Sequence, residues 1–153
     1  MASDMDAIDS FSGQYRFLSN FFPARVFLDG VSYQSVEHAY QAAKTTSPHI
    51  RELFLSGTAG QAKRKGRAVP LRDDWESIKF DVMLKLLLQK FGLDEHPELA
   101  ELLAATWPRQ LIEGNDWGDR VWGVYNGVGE NHLGKLLMEV RDHVVEAMDA
   151  IPR

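Results

Sequence analysis

Glu37, Tyr40, Gln41 and Lys44 fall within one short stretch, Val36-Glu-His-Ala-Tyr-Gln-Ala-Ala-Lys44. On a helix each residue advances about 100°, so these four share one sector while Val36, Ala39 and Ala43 share the apolar sector beside it. A carboxylate, a phenol and an amine then face one space. Glu37 lies in the first turn, where the macrodipole favours its ionised form and suits it to act as a base or to stabilise a developing cation. Taken alone, the same spacing also describes a solvated helix face with a weak salt link from Glu37 to Gln41 or Lys44. What favours a site is the neighbourhood, because an aromatic loop and a hairpin signal precede this stretch.

A second carboxylate is available in Asn115-Asp-Trp-Gly-Asp-Arg-Val-Trp-Gly123, where two aspartates and two tryptophans lie between glycines. Asp119 placed opposite Glu37 would suit cleavage at an anomeric carbon, one acid assisting the leaving group and the other stabilising charge on the sugar. Lys63, Arg64, Lys65 and Arg67 put four cations in five residues, broken by Gly66. Such a run reads either as a solvated face or as a phosphate site that Gly66 would let approach closely. Trp75 follows two aspartates at a helix start and reads as a packing anchor or a ligand platform.

Other chemistries lack their residues. The chain has no cysteine, which removes disulfides, thiol catalysis and Cys-type zinc sites. Its five histidines form no His-x-x-x-His pair, and no phosphate loop, nucleophile elbow or Rossmann fingerprint occurs, so no metal and no cofactor is expected. A formal charge of −5 argues against a non-specific polyanion binder and confines any nucleic-acid contact to a local patch. The start lacks the basic and apolar regions of a secretory signal, and no apolar run approaches the ~20 residues that cross a bilayer, so a cytoplasmic protein without membrane contact is expected.

The elements that must position these groups are mostly helical. With 153 residues, 44% of them hydrophobic, one compact domain is expected, preceded by a short flexible N-terminus over residues 1–12 and extending over 13–150. Tyr15 to Pro23 reads as an extended aromatic loop, and Asp29-Gly30 between Arg25–Leu28 and Val31–Tyr33 reads as a hairpin. Ser35 is placed to cap the Val36–Lys44 helix. Further helices are expected over His49–Leu55, over Ala59–Lys65 with Gly66 as its stop, and over Trp75–Phe91 with Asp73 or Asp74 as its cap. Ile78, Val82, Leu86 and Phe91 mark the stripe of that last helix. Glu98–Thr106, with Leu99, Leu102 and Leu103 inward, and a C-terminal helix to about Ala150 complete the set, with a strand at Gln110–Glu113 and an irregular Gly114–Gly129 between them. The fold class is α+β: a mostly helical domain with a small β-hairpin and short strands, expected to be a monomer.

Read in order, Phe17-Leu-Ser-Asn-Phe21, Val36 to Lys44, Lys65-Gly-Arg67, Asp74-Trp75 with Lys79, Val82-Met83, Lys90-Phe91, Leu111-Ile-Glu113, Asp119-Arg-Val-Trp-Gly123, Asn131-His-Leu-Gly134 and Leu137-Met-Glu-Val-Arg141 resemble the NADAR (YbiA-like) family. The resemblance runs from about Phe17 to Arg141. It implies an N-glycosidase that breaks the bond between ribose C1 and a nitrogen of a base or aminopyrimidine. Two substrate classes go with it: ADP-ribose on guanine in nucleic acid, and phosphorylated riboflavin-pathway intermediates. Members of the first kind reverse DNA ADP-ribosylation and can act as antitoxins paired with a DNA ADP-ribosyltransferase.

By motif, the resemblance makes Glu37 the principal catalytic carboxylate, Asp119 the second acid and Trp75 a stacking or positioning residue. Lys44, if partly neutral, is expected to attack C1 and pass through a Schiff base; its lowered pKa would come from burial or from Arg67 or Arg16. If it stays charged, Lys44 contacts phosphate or ribose while Glu37 activates water. Ser19 and Asn20 are assigned to ribose hydroxyls or the base edge, Tyr40 to the same helix face, Trp122 to stacking and Arg67 to a phosphate clamp. Thr106-Trp107-Pro108 departs from the family's Thr-Gly turn and bears on substrate class. A catalytically silent ADP-ribose-binding module is the non-enzyme alternative, against which Glu37, Lys44 and Asp119 together stand.

Overall fold

A computed structural model of the chain describes residues 6–151, which separate into two compact units. One is continuous, Asn20–Lys90; the described part of the other joins residues 6–19 to residues 91–151. The α+β, mostly helical expectation holds.

The continuous unit opens on an antiparallel hairpin, β1 (Val26–Leu28) and β2 (Val31–Tyr33), in register Val26↔Tyr33. Asp29 and Gly30 have φ of 49° and 81°, the pair of positive values that a tight primed turn demands. The outer side of β1 is closed by an amide: Phe27 N–H donates to Gln89 Oε1 at 2.7 Å, and Gln89 Nε2 donates to the Phe27 carbonyl at 2.9 Å. Next comes α1 (Val36–Ala42), whose first turn is satisfied by Ser35 Oγ accepting from the His38 N–H. Every residue of α1 is buried, so the solvated-face reading of Glu37 and Gln41 falls.

Downstream, the expected His49–Leu55 helix is a single α-turn, α2 (Pro48–Arg51), followed by a 3-10 turn at Glu52–Phe54. The helix α3 (Ala59–Gly66) starts with a reciprocal capping box between Thr58 and Gln61. Gly66 belongs to it rather than standing past its end. The long helix α4 (Trp75–Lys90) buries Trp75, Met83, Leu86, Leu87 and Lys90. Ile78 and Val82 are only half-buried, one step around the axis from the expected stripe. Of the two aspartates expected as its cap, Asp74 instead gives its carboxylate to Arg72 in a two-pronged pair, at 2.6 and 3.2 Å.

In the other unit, Gly13–Leu18 is a 3-10 helix, not an extended loop, held by bonds such as Tyr15 N–H to the Ser12 carbonyl. Part of the segment expected to be flexible is built into this unit. Ile8 is buried and paired with the 110–112 segment, its N–H donating to the Gln110 carbonyl at 2.8 Å and its carbonyl accepting from Ile112 at 2.9 Å. The rest of that expectation, residues 1–5, lies outside the described residues. This pairing is also what remains of the expected strand at 110–113; the ladder strands are β3 (Gly114–Asn115) and β4 (Val124–Tyr125), which run parallel. The helix α5 (Pro97–Ala104) turns Ala100 and Leu103 inward and leaves Leu102 exposed, correcting its predicted face. The Trp107–Pro108 peptide is cis and Trp107 is exposed. The C-terminal helix, α6 (His132–Asp149), buries Leu133, Leu137, Val140, Arg141 and Val144, while Leu136 and Met148 are half-buried.

Candidate active site

In the continuous unit α1 packs against α3 and α4, which gathers Glu37, Tyr40, Gln41, Lys44, Arg67 and Trp75 around one helix. Glu37 is positioned twice. Its backbone N–H donates to the Asn20 carbonyl at 3.1 Å, and its Oε2 accepts from Gln41 Nε2 at 2.7 Å. Both anchors are local consequences of sequence: Ser19-Asn20 brings the chain past the open first turn of α1, and Gln41 stands one turn after Glu37.

Lys44 lies just beyond the end of α1, and its carbonyl accepts from Arg72 N–H at 2.8 Å. Burial pushes its pKa below the ordinary 10.5; the Glu37 carboxylate opposes that shift, and the Arg67 guanidinium adds to it. Its ammonium nitrogen is 6.0 Å from the centre of the Tyr40 ring. Tyr40 in turn meets Trp75 with ring centres 5.2 Å apart and planes tilted by 57°, so Trp75 is buried as a packing anchor for the helix face that carries Lys44. Asn20 is buried, donating from Nδ2 to Met83 Sδ at 3.6 Å and leaving Oδ1 without a hydrogen-bond partner. Gln41 Oε1 is the other buried acceptor of this unit that none satisfies.

Arg67 is exposed and follows α3 on the cationic side of that helix. Lys63 sits 5.9 Å from the centre of the exposed Phe21 ring, while Lys65 is tied to the Leu53 carbonyl at 3.0 Å. Gly66 does not present its backbone outward for a phosphate. A Cβ at that position would overlap Gln41 Oε1 and Cδ, so the glycine admits the Gln41 side chain. Lys90, at the end of α4, is wholly buried 5.8 Å from the Phe22 ring centre, and burial pushes its pKa down to about 7. Nothing in the sequence marks Lys90 as buried except its place in an apolar helix end.

The other predicted residues lie in the second unit. Arg16 is exposed on the 3-10 helix and Ser19 closes it, donating its N–H to the Arg16 carbonyl at 3.0 Å. Asp119 Oδ1 accepts from the N–H groups of Val121 and Trp122 at 3.0 and 2.9 Å, so this carboxylate shapes the loop that carries Trp122. Trp122 is half-buried, edge-on to His132 with ring centres 6.4 Å apart. Asn131, part of a family motif but given no role by the sequence, holds the same loop. From a left-handed φ of 54° it accepts from Glu113 N–H and donates to the Leu111 carbonyl, each at 2.9 Å. Among the described residues no group of three or more His, Asp or Glu side chains is arranged to hold a metal ion, and no helix is long and apolar enough to cross a membrane.

A buried carboxylate next to an amine with lowered pKa is equipment for attack on an electrophilic carbon and for stabilising the charge that forms there. The solved NMR structure of the Escherichia coli protein YbiA matches with a TM-score of 0.83 and 36% identity, over 97% of this chain and 91% of that one. In sequence, the N-glycosidase YbiA of Escherichia coli K12 is 40% identical over 139 residues, 88% of this chain and 85% of its own length. A riboflavin biosynthesis protein of Vibrio vulnificus is 37% identical over 134 residues, 85% of this chain and 36% of that protein. Fold and relatives together make the chain a glycosyl-bond hydrolase of the N-glycosidase type. The NADAR domain model matches residues 8–145, and the chain belongs to that family.

Proposed function

We propose that this N-glycosidase removes ADP-ribose from guanine in nucleic acid, reversing DNA ADP-ribosylation in the cytoplasm as an antitoxin would against a DNA ADP-ribosyltransferase. The observation that carries the reading is the cationic side of α3, with Lys63 beside the exposed Phe21 ring and Arg67 acting on Lys44, packed on the helix that bears Glu37. Cations meet phosphates and an exposed ring stacks a base, a pairing suited to a strand more than to a lone monophosphate.

In this reading neutral Lys44 Nζ attacks ribose C1, and the C1–N bond breaks with its electron pair leaving on the base, which takes up a proton. Cleavage of the ring C1–O bond, with the oxygen taking the proton released by Nζ, gives a Schiff base. Water then adds to C1, frees ADP-ribose and restores the amine. Glu37 moves these protons and stabilises positive charge at C1. Asn20 supplies a buried acceptor for a ribose hydroxyl or a base amine. The roles of Arg16, Ser19, Asp119 and Trp122 rest on the family motifs.

A second reading has a specific support, the printed name of the Vibrio relative: release of the base from a phosphorylated riboflavin-pathway intermediate. Mass spectrometry of released base and ribosyl product decides between them. Wild type and Glu37→Gln are given an ADP-ribosylated guanine oligonucleotide and, in parallel, the aminouracil ribosyl phosphate. Release from the oligonucleotide that weakens steeply with salt and disappears in Glu37→Gln is the expected result. Release from the small phosphate alone moves the enzyme into metabolism, and silence on both leaves a binding module.

A further inference from the structure

Three observations meet at Gln41. Its Nε2 donates to Glu37 Oε2 at 2.7 Å, so one end of the amide holds the carboxylate. The opposite end, Oε1, is buried and has no hydrogen-bond partner. That end also lies against the backbone of Gly66, where any Cβ would overlap it. An amide kept only for packing would be replaced at no loss by an apolar chain of the same length, which has no oxygen to leave unsatisfied. Gly66, likewise, closes a helix without the positive φ that would call for glycine, and it is the space taken by the Gln41 amide that excludes a larger residue there. Both departures from what stability prefers have one beneficiary, the orientation of Glu37.

We infer that Gln41 is a positioning residue for the glycosidase reaction, fixing the orientation in which the Glu37 carboxylate meets the ribose, and that Gly66 is the gap in α3 that allows it. The inference rests on Glu37 being the catalytic carboxylate. Removing the amide donor has two consequences a packing role lacks: the carboxylate turns, and its charged form loses a hydrogen bond.

Gln41→Met keeps the length and removes both the donor and the unsatisfied oxygen. On the substrate that wild type turns over, kcat is expected to fall between ~10- and ~100-fold with KM within about threefold, as misorientation by an ångström does. The part of the acid limb that Glu37 sets, distinct from the part set by the Lys44 amine, moves to higher pH in its pH–rate profile, and its melting temperature equals or exceeds that of wild type. Gly66→Ala reproduces the loss and the moved acid limb from the other side of the contact, and in a Gln41→Ala background the same change has no further effect. Wild-type kcat and pH profile in Gln41→Met, with Glu37→Gln inactive, overturn the inference and leave the reading of Glu37 standing. Activity in Glu37→Gln overturns that reading itself. Should Gln41→Met fail to fold, Gly66→Ala alone decides by kcat and acid limb, and a wild-type result there overturns the inference.

Discussion

The Glu37 carboxylate is held by the side chain of Gln41, whereas in the loop between Glu113 and Asn131 most side-chain hydrogen bonds go to backbone. Asn115 accepts from Asp119 N–H at 3.0 Å and donates to the Asp119 carbonyl at 2.8 Å, Asp119 takes the two amides after it, and Asn131 bridges Leu111 to Glu113. Near Glu37, by contrast, Asn20 Oδ1 and Gln41 Oε1 go without partners, each at a price of roughly 1–3 kcal/mol. A side chain that satisfies backbone cannot change partner without unmaking its loop. One joined only to another side chain can turn toward a ligand. This contrast supports the proposal that α1 carries the chemistry, while Asp119 and Asn131 shape the loop.

The largest effect that tests this contrast is on the α1 side. Lys44→Met is expected to lower kcat by roughly 10³-fold, and borohydride during turnover to trap an adduct on Lys44 that peptide mass spectrometry locates. Persistent turnover in Lys44→Met removes the covalent step and leaves Glu37 activating water. The loop side reverses the signature: Asn131→Ala loses two bonds to backbone and strains a left-handed position, so denaturant unfolding should show a loss of about 2–3 kcal/mol. The folded fraction keeps kcat within a few fold; a 10²-fold drop in a fully folded variant would erase the division between the two regions.

Much of this contrast was readable before any coordinates. Ser35 before an alanine-rich apolar period, and Asp29-Gly30 between short extended runs, are local signals with local causes, and α1 and the hairpin formed as they predict. Glu37 and Gln41 meet one turn apart as helix periodicity predicts, whereas Lys44 falls two residues past the end of the helix expected to carry it. What failed was set by distant partners. Gly13–Leu18 winds into a 3-10 helix that buries Phe17 and Leu18 together, which a broken aromatic run does not announce. Asp74 carries a helix-cap residue type, but Arg72 competes for its carboxylate. Gly66 inside a basic run suggested a phosphate, and only packing against α1 shows that it faces Gln41.

A pH-dependent effect on stability sharpens the comparison within the α1 unit, between two amines with lowered pKa. Lys90 has its pKa pushed from 10.5 to about 7, so between those values the unfolded chain binds more protons than the folded one. The stability of wild type relative to Lys90→Met should therefore rise with pH across that window, by about 1.4 kcal/mol per pH unit at most, and be flat below pH 7. Urea unfolding at pH 6, 8 and 10 reads the slope. A flat difference throughout would mean that Lys90 titrates as a solvated amine does.

Ile8 has a consequence for the order in which the molecule is made. Its partners at 110–112 are a hundred residues away, and the unit they close is interrupted by all of Asn20–Lys90. Closing so long a loop carries an entropy cost that later contacts must offset, so during synthesis the continuous unit has every residue it needs while the interrupted one still waits for its second half. The helix that bears Glu37 is thus assembled early and the clasp at Ile8 late. Protease treatment of chains stalled after residue 100 would detect this as a protected Asn20–Lys90 core with a cleavable N-terminal segment, and equal sensitivity of both would reverse the order.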